Sequence, residues 1–332
     1  MKNFSLRLFG AGDVVNVSGS VAEGNDLSAE MKTFYDKALI ELATPNLIHD
    51  QFGQKRSIPK NGGKSVEFRC FSTLPKATTA LTEGVTPSGK KLNVKAIVCA
   101  PEQYGDYVEL SDVFELTSID NTVVEATRKL ADQAGRTLDT ITREVLAGGT
   151  NVQFAEGQVE ERDALVGGQE TGNHYLTVDA IRMAVRTLKR LNAETINGSY
   201  VGIVHPDAAY DLMSDPKWIN VKTYSDPEGI YQGEIGKIEN VRFVESSEAK
   251  IFEKAGADGR DVYSTLILGD NAYGTTEISG GGLQHIVKQL GSAGAADPLN
   301  QRGSCGWKAT KAAVRLVEPY MIRIETASTF NN

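Results

Sequence analysis

Between Ser118 and Gly149 the chain carries one uninterrupted helical signal, and it limits the available folds more than any other feature. Val123, Thr127, Leu130, Ala134, Leu138, Ile141 and Val145 recur at steps of three and four residues, the spacing that stacks side chains along one face of an α-helix. Ser118 or Asp120 offers an N-terminal cap, and Gly148-Gly149 supplies the stop. The spacing predicts a helix of roughly 27 residues, about 40 Å long at 1.5 Å per residue and about twice the globular mean. Glu125, Arg128, Lys129, Asp132, Arg136 and Glu144 take the opposite side, so one stripe is buried and the other wet. A helix of this length spans a small domain from end to end and acts as a strut.

The chain ahead of the strut reads as extensions. Residues 1–26 are rich in Gly, Ser, Asn and Val without a helical period, which predicts an extended arm. From Leu27 a helix is expected: Ser28 caps it, Met31, Phe34 or Tyr35, Ala38, Leu39 and Leu42 share a face, and Pro45 ends it. Asn61-Gly62-Gly63 signals a turn before an alternating run at Val66, Phe68 and Cys70; a second β run covers Val94–Cys99, and Tyr104–Leu110 continues it. Between the two runs lies a polar stretch containing Pro75, Gly84, Pro87 and Gly89, too hydrophilic for a core. From Lys64 to Lys91 five basic residues (Lys64, Arg69, Lys76, Lys90 and Lys91) face two acidic ones (Glu67 and Glu83). The whole chain carries a net charge of −8. A basic protruding hairpin on an acidic protein points to a partner surface.

Beyond the strut the pattern becomes mixed α and β. Asn151–Gly172 is acidic, with Glu156, Glu160, Glu161, Asp163 and Glu170, and is expected to form an inserted loop or short hairpin. Thr177 caps a helix bearing Val178, Ile181, Val185, Leu188 and Leu191. Strands are expected at Tyr200–Val204, Val241–Glu245, Val262–Leu268 and His285–Gln289, with a helix opened by Pro206-Asp207. The closing run places Val314, Leu316, Tyr320, Ile322 and Ile324 on one face, with Glu318 as the exception, and Arg315, Arg323 and Glu325 on the other. This reads as one strand of about 12 residues, longer than usual.

Chemistry is sparse. Gly84-Val85-Thr86-Pro87-Ser88-Gly89-Lys90 has the spacing of a phosphate loop, but Lys91 stands where Ser or Thr would hold magnesium and a strand follows where a helix is needed. His49, His174, His205 and His285 are isolated from one another, and no metal-ligand spacing occurs. Cys70, Cys99 and Cys305 form neither a disulfide framework nor a zinc pattern, and buried reduced thiols are expected. Trp218 and Trp307 are expected to pack in cores. Arg7 interrupts the apolar stretch of the first nine residues, so no export signal is expected there. No apolar run reaches the ~18 residues of a membrane span. The acidic balance argues against a protein devoted to gripping nucleic acid. These readings give no catalytic, cofactor-binding or metal residues. An arm, a protruding hairpin and a strut bury little within one subunit, so they suit a chain covered by further copies of itself.

Three segments carry a resemblance. Asn25-Asp26-Leu27-Ser28-Ala29-Glu30-Met31-Lys32-Thr33-Phe34-Tyr35 opens it, Gly233-Glu234-Ile235-Gly236-Lys237-Ile238-Glu239-Asn240-Val241-Arg242-Phe243-Val244-Glu245-Ser246 lies in the middle, and Gln301-Arg302-Gly303-Ser304-Cys305-Gly306-Trp307-Lys308 comes near the end. Together they resemble the major capsid proteins of tailed bacteriophages, in particular the group of the podovirus N-four coat protein, over nearly the whole chain from about Asp26.

The resemblance implies an α+β chain with the Johnson fold of the Hong Kong ninety-seven-type capsid. Residues 1–50 would be the N-terminal arm, 51–117 the E-loop hairpin and its base strands, and 118–172 the P-domain spine helix with the acidic insertion. Residues 173–280 would be the A-domain, and 281–332 would return to the P-domain with the long C-terminal strand.

It also implies a structural protein rather than an enzyme, assembling as pentamers and hexamers of an icosahedral virion head around double-stranded DNA. The head would be made in the bacterial host cytoplasm with a portal and a separate scaffolding protein, without a membrane or a cofactor. Some relatives join an E-loop lysine to a neighbour's asparagine; Lys76, Lys90 and Lys91 are available here, with Asn300 as a candidate partner. Inter-subunit contacts are expected from Lys76, Glu83, Lys90 and Lys91 on the hairpin and from Glu160 and Glu161 in the acidic segment. The alternatives are an encapsulin-type compartment shell, an α/β enzyme with its site in 173–280, and a monomeric binding module that uses the hairpin.

Overall fold

A computed structural model describes residues 47–71, 74–86, 88–118, 122–155, 160–169, 172–218, 234–292 and 297–330. The expected arm over 1–26, the helix expected from Leu27, and Glu156 and Glu170 lie outside the described residues. Two β-sheets are joined at one end of a long helix.

The first sheet is organised on β13 (Arg302–Arg315), a 14-residue strand that is about 45 Å long at the usual rise. One of its edges pairs antiparallel with β4 (Glu102–Ser111), from Arg302 opposite Ser111 to Lys311 opposite Glu102. Its other edge is shared by β11 (Tyr273–Ile278), which pairs with Ala312–Arg315, and β12 (Gln284–Lys288), which pairs with Ser304–Lys308. The two are one line of chain broken at Gly280-Gly281-Gly282. There Thr310 donates its amide and its hydroxyl to Gly281 O, both at 2.7 Å, and accepts the Ile278 amide at 3.2 Å. Finally, β1 (Gln54–Ile58) runs parallel to β11.

Helix α2 (Thr122–Ala147, 26 residues) lies across this sheet. Its stripe Leu130, Ala131, Ala134 and Leu138 is buried against Cys305, Trp307 and Ala309 of β13, as the period predicts. Ahead of it stands a short helix, α1 (Asp112–Thr117), which the sequence reading does not include; Ser111 Oγ caps it by accepting the Phe114 amide at 3.2 Å.

The second sheet has the order β5–β14–β10–β6–β8–β7, with β9 also pairing to β10. Its strands are β5 (Val152–Phe154), β6 (Tyr200–Val204), β7 (Glu234–Ile238), β8 (Val241–Glu245), β9 (Ile251–Phe252), β10 (Val262–Leu268) and β14 (Met321–Thr326). Helix α3 (Val178–Arg190) is capped by Thr177 as expected and seats Ile181, Val185 and Leu188 in a core with Tyr200, Phe243 and Ile322. Helix α4 (Pro206–Ser214) follows β6, whose parallel neighbour in the sheet is β8; at its start His205 Nδ1 accepts the Asp207 amide. Strands β6 and β10 are buried at every position, the mark of strands covered on both faces.

Two expectations need correction. Tyr104–Leu110 does not continue the hairpin run: it belongs to β4, which pairs with β13 instead of the strand at Val66–Phe71, because Ala100-Pro101 interrupts the line and proline has no amide to donate. The closing run is likewise two strands. A turn of 3-10 helix at Glu318–Tyr320, containing Pro319, separates β13 from β14, and the two belong to different sheets. Nor is there a wet face on β14: Arg323 and Glu325 are buried beside Ile322 and Ile324, since β14 sits inside its sheet between β5 and β10.

That buried charge has a task. The last carbonyls of a helix lack partners, and its C-terminus carries a partial negative charge. Arg323 donates to Ala147 O and to Gly149 O, the latter at 3.0 Å, and Arg315 donates to Val145 O at 2.7 Å. Glu325, with 1% of its side chain exposed, accepts from Arg323 at 2.8 Å and from Arg162 at 2.6 Å. Arg162 lies 3.5 Å above the Phe252 ring. The hydrogen bond to Glu325 raises the Arg162 pKa against the opposing effect of burial. At the other side of the helix the chain is fixed by His49. Its amide and Nδ1 meet the Asp139 carboxylate at 2.7 and 2.6 Å with both side chains fully buried, and Tyr273 donates its hydroxyl to His49 O.

Candidate assembly surface

Among the described residues the hairpin has the least cover from its own subunit. Strands β2 (Val66–Phe71) and β3 (Val94–Cys99) pair antiparallel, from Val66 opposite Cys99 to Phe71 opposite Val94, and form a sheet of their own. Among the described residues of 74–93 the one hydrogen bond is Val85 N to Thr82 O, inside the loop. Every described residue there is exposed, including Leu74, Leu81 at 78% and Leu92. Val98 on β3 is 64% exposed. Scattered apolar residues on a surface are ordinary, but a run of large ones along a projecting element marks an interaction surface. The tip has no helix after Gly89-Lys90, only extended chain leading into β3, so its amides do not form a phosphate loop.

The root, by contrast, is fixed. Phe68 is 2% exposed, with the Arg56 guanidinium 5.1 Å from its ring centroid. Its ring fills the place where any side chain at Gly274 would stand; a Cβ there would meet the ring at 2.8 Å. Gly274 on β11 is therefore the socket for the hairpin. Gly274→Ala is expected to cost about 1–3 kcal/mol through overpacking. Faster hydrogen exchange confined to β2 and β3 would show it; unchanged protection of the hairpin would contradict the socket.

Of the contact residues expected from the sequence, Lys76, Glu83, Lys90 and Lys91 are all exposed on the hairpin loop, and Glu160 and Glu161 are exposed on the loop after β5. Among the described residues none of these six side chains makes an ion pair or hydrogen bond, and the structure does not join the two groups within one subunit. The acidic loop is itself anchored, by Arg162 to Glu325 and by the buried Leu165, so Glu160 and Glu161 are displayed from a fixed base. Asn300 is exposed with φ 56°, a left-handed position that asparagine tolerates. The sequence reading missed Phe68 with Gly274 and the two capping arginines. A period-2 pattern says which residues are buried and not what they meet.

Titratable groups are used for structure. Cys305 is pushed up by burial and lies 3.0 Å from His285 Nε2 beneath the sheet. Tyr263 is raised by burial and by its hydrogen bond to Asp207 at 2.7 Å, and His205 is lowered by burial. Trp218 and Trp307 are buried, as are Cys99 and Cys305, while Cys70 is half-buried; all three thiols are free. Among the described residues no group of three or more His, Cys, Asp or Glu side chains is placed to hold a metal. No described helix is long and apolar enough to cross a membrane.

Residues 107–289, more than half of the chain, match the family model described as phage capsid protein. No curated protein matches the chain. The chain is similar in structure to the capsid asymmetric unit of cyanophage Pam1, with a TM-score of 0.63 at 14% identity over 98% of this chain and 100% of that one. The capsid of Ralstonia phage GP4 gives 0.62 at 16% identity over 84% and 88%, and that of cyanophage P-SCSP1u gives 0.61 at 15% over 83% and 86%. At these identities the likeness establishes the fold, which is the α+β fold of tailed-phage capsids expected from the sequence.

Proposed function

The chain belongs to the phage capsid protein family, and from that membership we propose that it builds an icosahedral head from pentamers and hexamers of itself, as a major capsid protein of the N-four-like group. The observation that carries the proposal is the hairpin: a loop with large exposed apolar side chains and, among the described residues, no bond to the body of its own subunit gains its cover from the neighbouring copy. Its role is structural, and buried titratable groups that tie elements together fit that role better than a catalytic one.

In this reading the divisions at residues 50, 117, 172 and 280 separate arm, E-loop, P-domain spine with acidic insertion, A-domain and the returning strand. The virion is the chain's destination, the host cytoplasm its place of assembly, and portal and scaffolding proteins its partners. A net charge of −8 suits a wall that encloses DNA without gripping it, since cations on the wall would hold the phosphates.

Electron microscopy of the purified chain tests this. Closed shells or ring-shaped capsomers are expected, with DNA or protein cargo in the particles separating a phage head from an encapsulin-type compartment. A sharp monomer with no assembly in the presence of crowding agent or scaffolding lysate would overturn the proposal.

A further inference from the structure

Among the described residues strand β4 pairs with β13 alone, so one of its edges is open. The Asp112 amide donates to Gln301 O at 3.1 Å, which continues the β4–β13 register and sets its parity. In an antiparallel ladder, residues that bond the neighbour alternate with residues that point away from it. The even-numbered residues of β4 therefore bond β13. Gln103, Gly105, Tyr107 and Glu109 turn their amides and carbonyls to the open edge. An edge of this length is a template for another strand.

One of those four amides is already taken. Asp106 Oδ1 accepts the Tyr107 amide at 2.8 Å. The same carboxylate accepts from Gln133 of α2 at 2.6 Å, and Gln133 Oε1 accepts the indole N–H of the buried Trp307 at 3.2 Å. Asp106 is thus held from the helix side, across a groove of about 680 Å³ that lies open between α2 and β4. Among the described residues the amides of Gln103, Gly105 and Glu109 have no such partner.

We infer that the open edge of β4 is a docking edge for β4 of a second copy, and that Asp106 holds it shut. Charge selects the register. β4 carries Glu102, Asp106 and Glu109 and no basic residue, and like charges directly opposite one another are destabilising. Two antiparallel registers overlap most of the strand. A two-fold axis at Asp106 sets the two Asp106 side chains opposite each other. An axis at Tyr107 sets Asp106 opposite Val108 and Glu109 opposite Gly105, so no acid faces an acid. It also joins the two Tyr107 rings, each 63% exposed, as a cross-strand aromatic pair. The central amide of that register, which has to donate to the partner's Tyr107 carbonyl, is the one that Asp106 occupies. The contact is isologous, and the same side chain blocks it in both copies.

The test uses the full-length chain with Tyr107→Cys as a reporter on the axis, where opposite Cα atoms would stand about 5.5 Å apart, within reach of a disulfide. The chain with Tyr107 intact is the control for the native thiols. Adding Asp106→Ala is expected to raise the yield of dimer bridged between the introduced thiols at least tenfold on mild oxidation. No rise would overturn the proposal. Asp106→Asn keeps an oxygen that accepts the Tyr107 amide, so little bridge is expected; as much bridge as with Asp106→Ala would overturn the guard by assigning it to charge alone. Adding Glu109→Pro to Asp106→Ala removes a donor from the open edge and leaves the β13 ladder whole. It is expected to abolish the bridge, and a bridge that persists would overturn strand pairing. Amide exchange of the unaltered chain needs no variant to fold: Tyr107 is expected to exchange at least tenfold more slowly than Gln103, Gly105 and Glu109, and equal rates would overturn the guard. The bridge reports one contact, so these outcomes stand apart from whether the chain builds a shell.

Discussion

Arg323→Met is expected to lower the stability of the unassembled subunit by about 3–5 kcal/mol, the usual loss when one partner of a buried charged cluster is removed. Arg323 is 9% exposed and serves two clients at once. On one side it satisfies Ala147 O and Gly149 O at the end of α2; on the other it balances Glu325. Methionine fills much of the volume but donates nothing, so the helix terminus and a carboxylate lose a partner together. Arg315→Met provides the internal scale. Its side chain is 33% exposed and water can replace part of what it does, so a loss of about 1–2 kcal/mol is expected. Urea denaturation of the two variants measures both. A loss at Arg323 no greater than that at Arg315 would show that the carbonyls find other donors and that the junction is less dependent on the cluster than its geometry implies.

The double variant Lys90→Glu with Lys91→Glu is expected to cut the yield of closed particles at least tenfold while leaving subunit melting unchanged. Both lysines are exposed, and neither forms an ion pair among the described residues, so nothing in the described fold depends on their sign. A single surface ion pair contributes about 0–1 kcal/mol, which is small, but a shell repeats each contact in every copy. Reversing two charges per subunit turns an attraction into a repulsion at every hairpin. With Glu160 and Glu161 of a neighbouring copy as the proposed acidic counterpart, adding Glu160→Lys and Glu161→Lys should restore particles, and rising salt should weaken wild-type assembly by screening. Normal particles from the lysine variant, counted by electron microscopy, would remove the electrostatic role. Failure of the rescue alone would move the partner surface elsewhere on the neighbour.

How far the sequence revealed this fold depends on the kind of signal. Helix α2 was legible because its period persists through 26 residues and because both ends carry stop signals. Thr177 and Pro206-Asp207 announced their helices through capping chemistry that acts within a few residues. Strand partnership was not legible in the same way. The alternation through Val314, Leu316, Tyr320, Ile322 and Ile324 continues across the Glu318-Pro319 break, and only pairing with β11 on one side and β10 on the other shows that two sheets are involved. Helix α1 is six residues long, too short for a period, although Ser111 followed by Asp112 was a readable cap. Strands β1 and β11 went unread because they pair with each other across more than 200 residues of chain. The hairpin lysines could be found as basic and in a polar stretch from composition, but a proposed contact with another copy is something no single sequence displays.

The joint where Val145–Thr150, Arg315 and Arg323 converge also fixes where the subunit can yield. Load applied to the hairpin passes through Phe68 and Gly274 into β11, across to β13, and along both β13 and α2 to a clamp of buried guanidinium groups. A lever braced at its far end by charge that costs several kcal/mol to disturb does not bend there. If one chain is to serve both five-membered and six-membered rings, the difference in angle has to be taken up outboard of Phe68, in the loop whose described residues hold no bond to the body of the subunit. Curvature would then be written in the hairpin, and the strut would carry the same shape into every position of the shell.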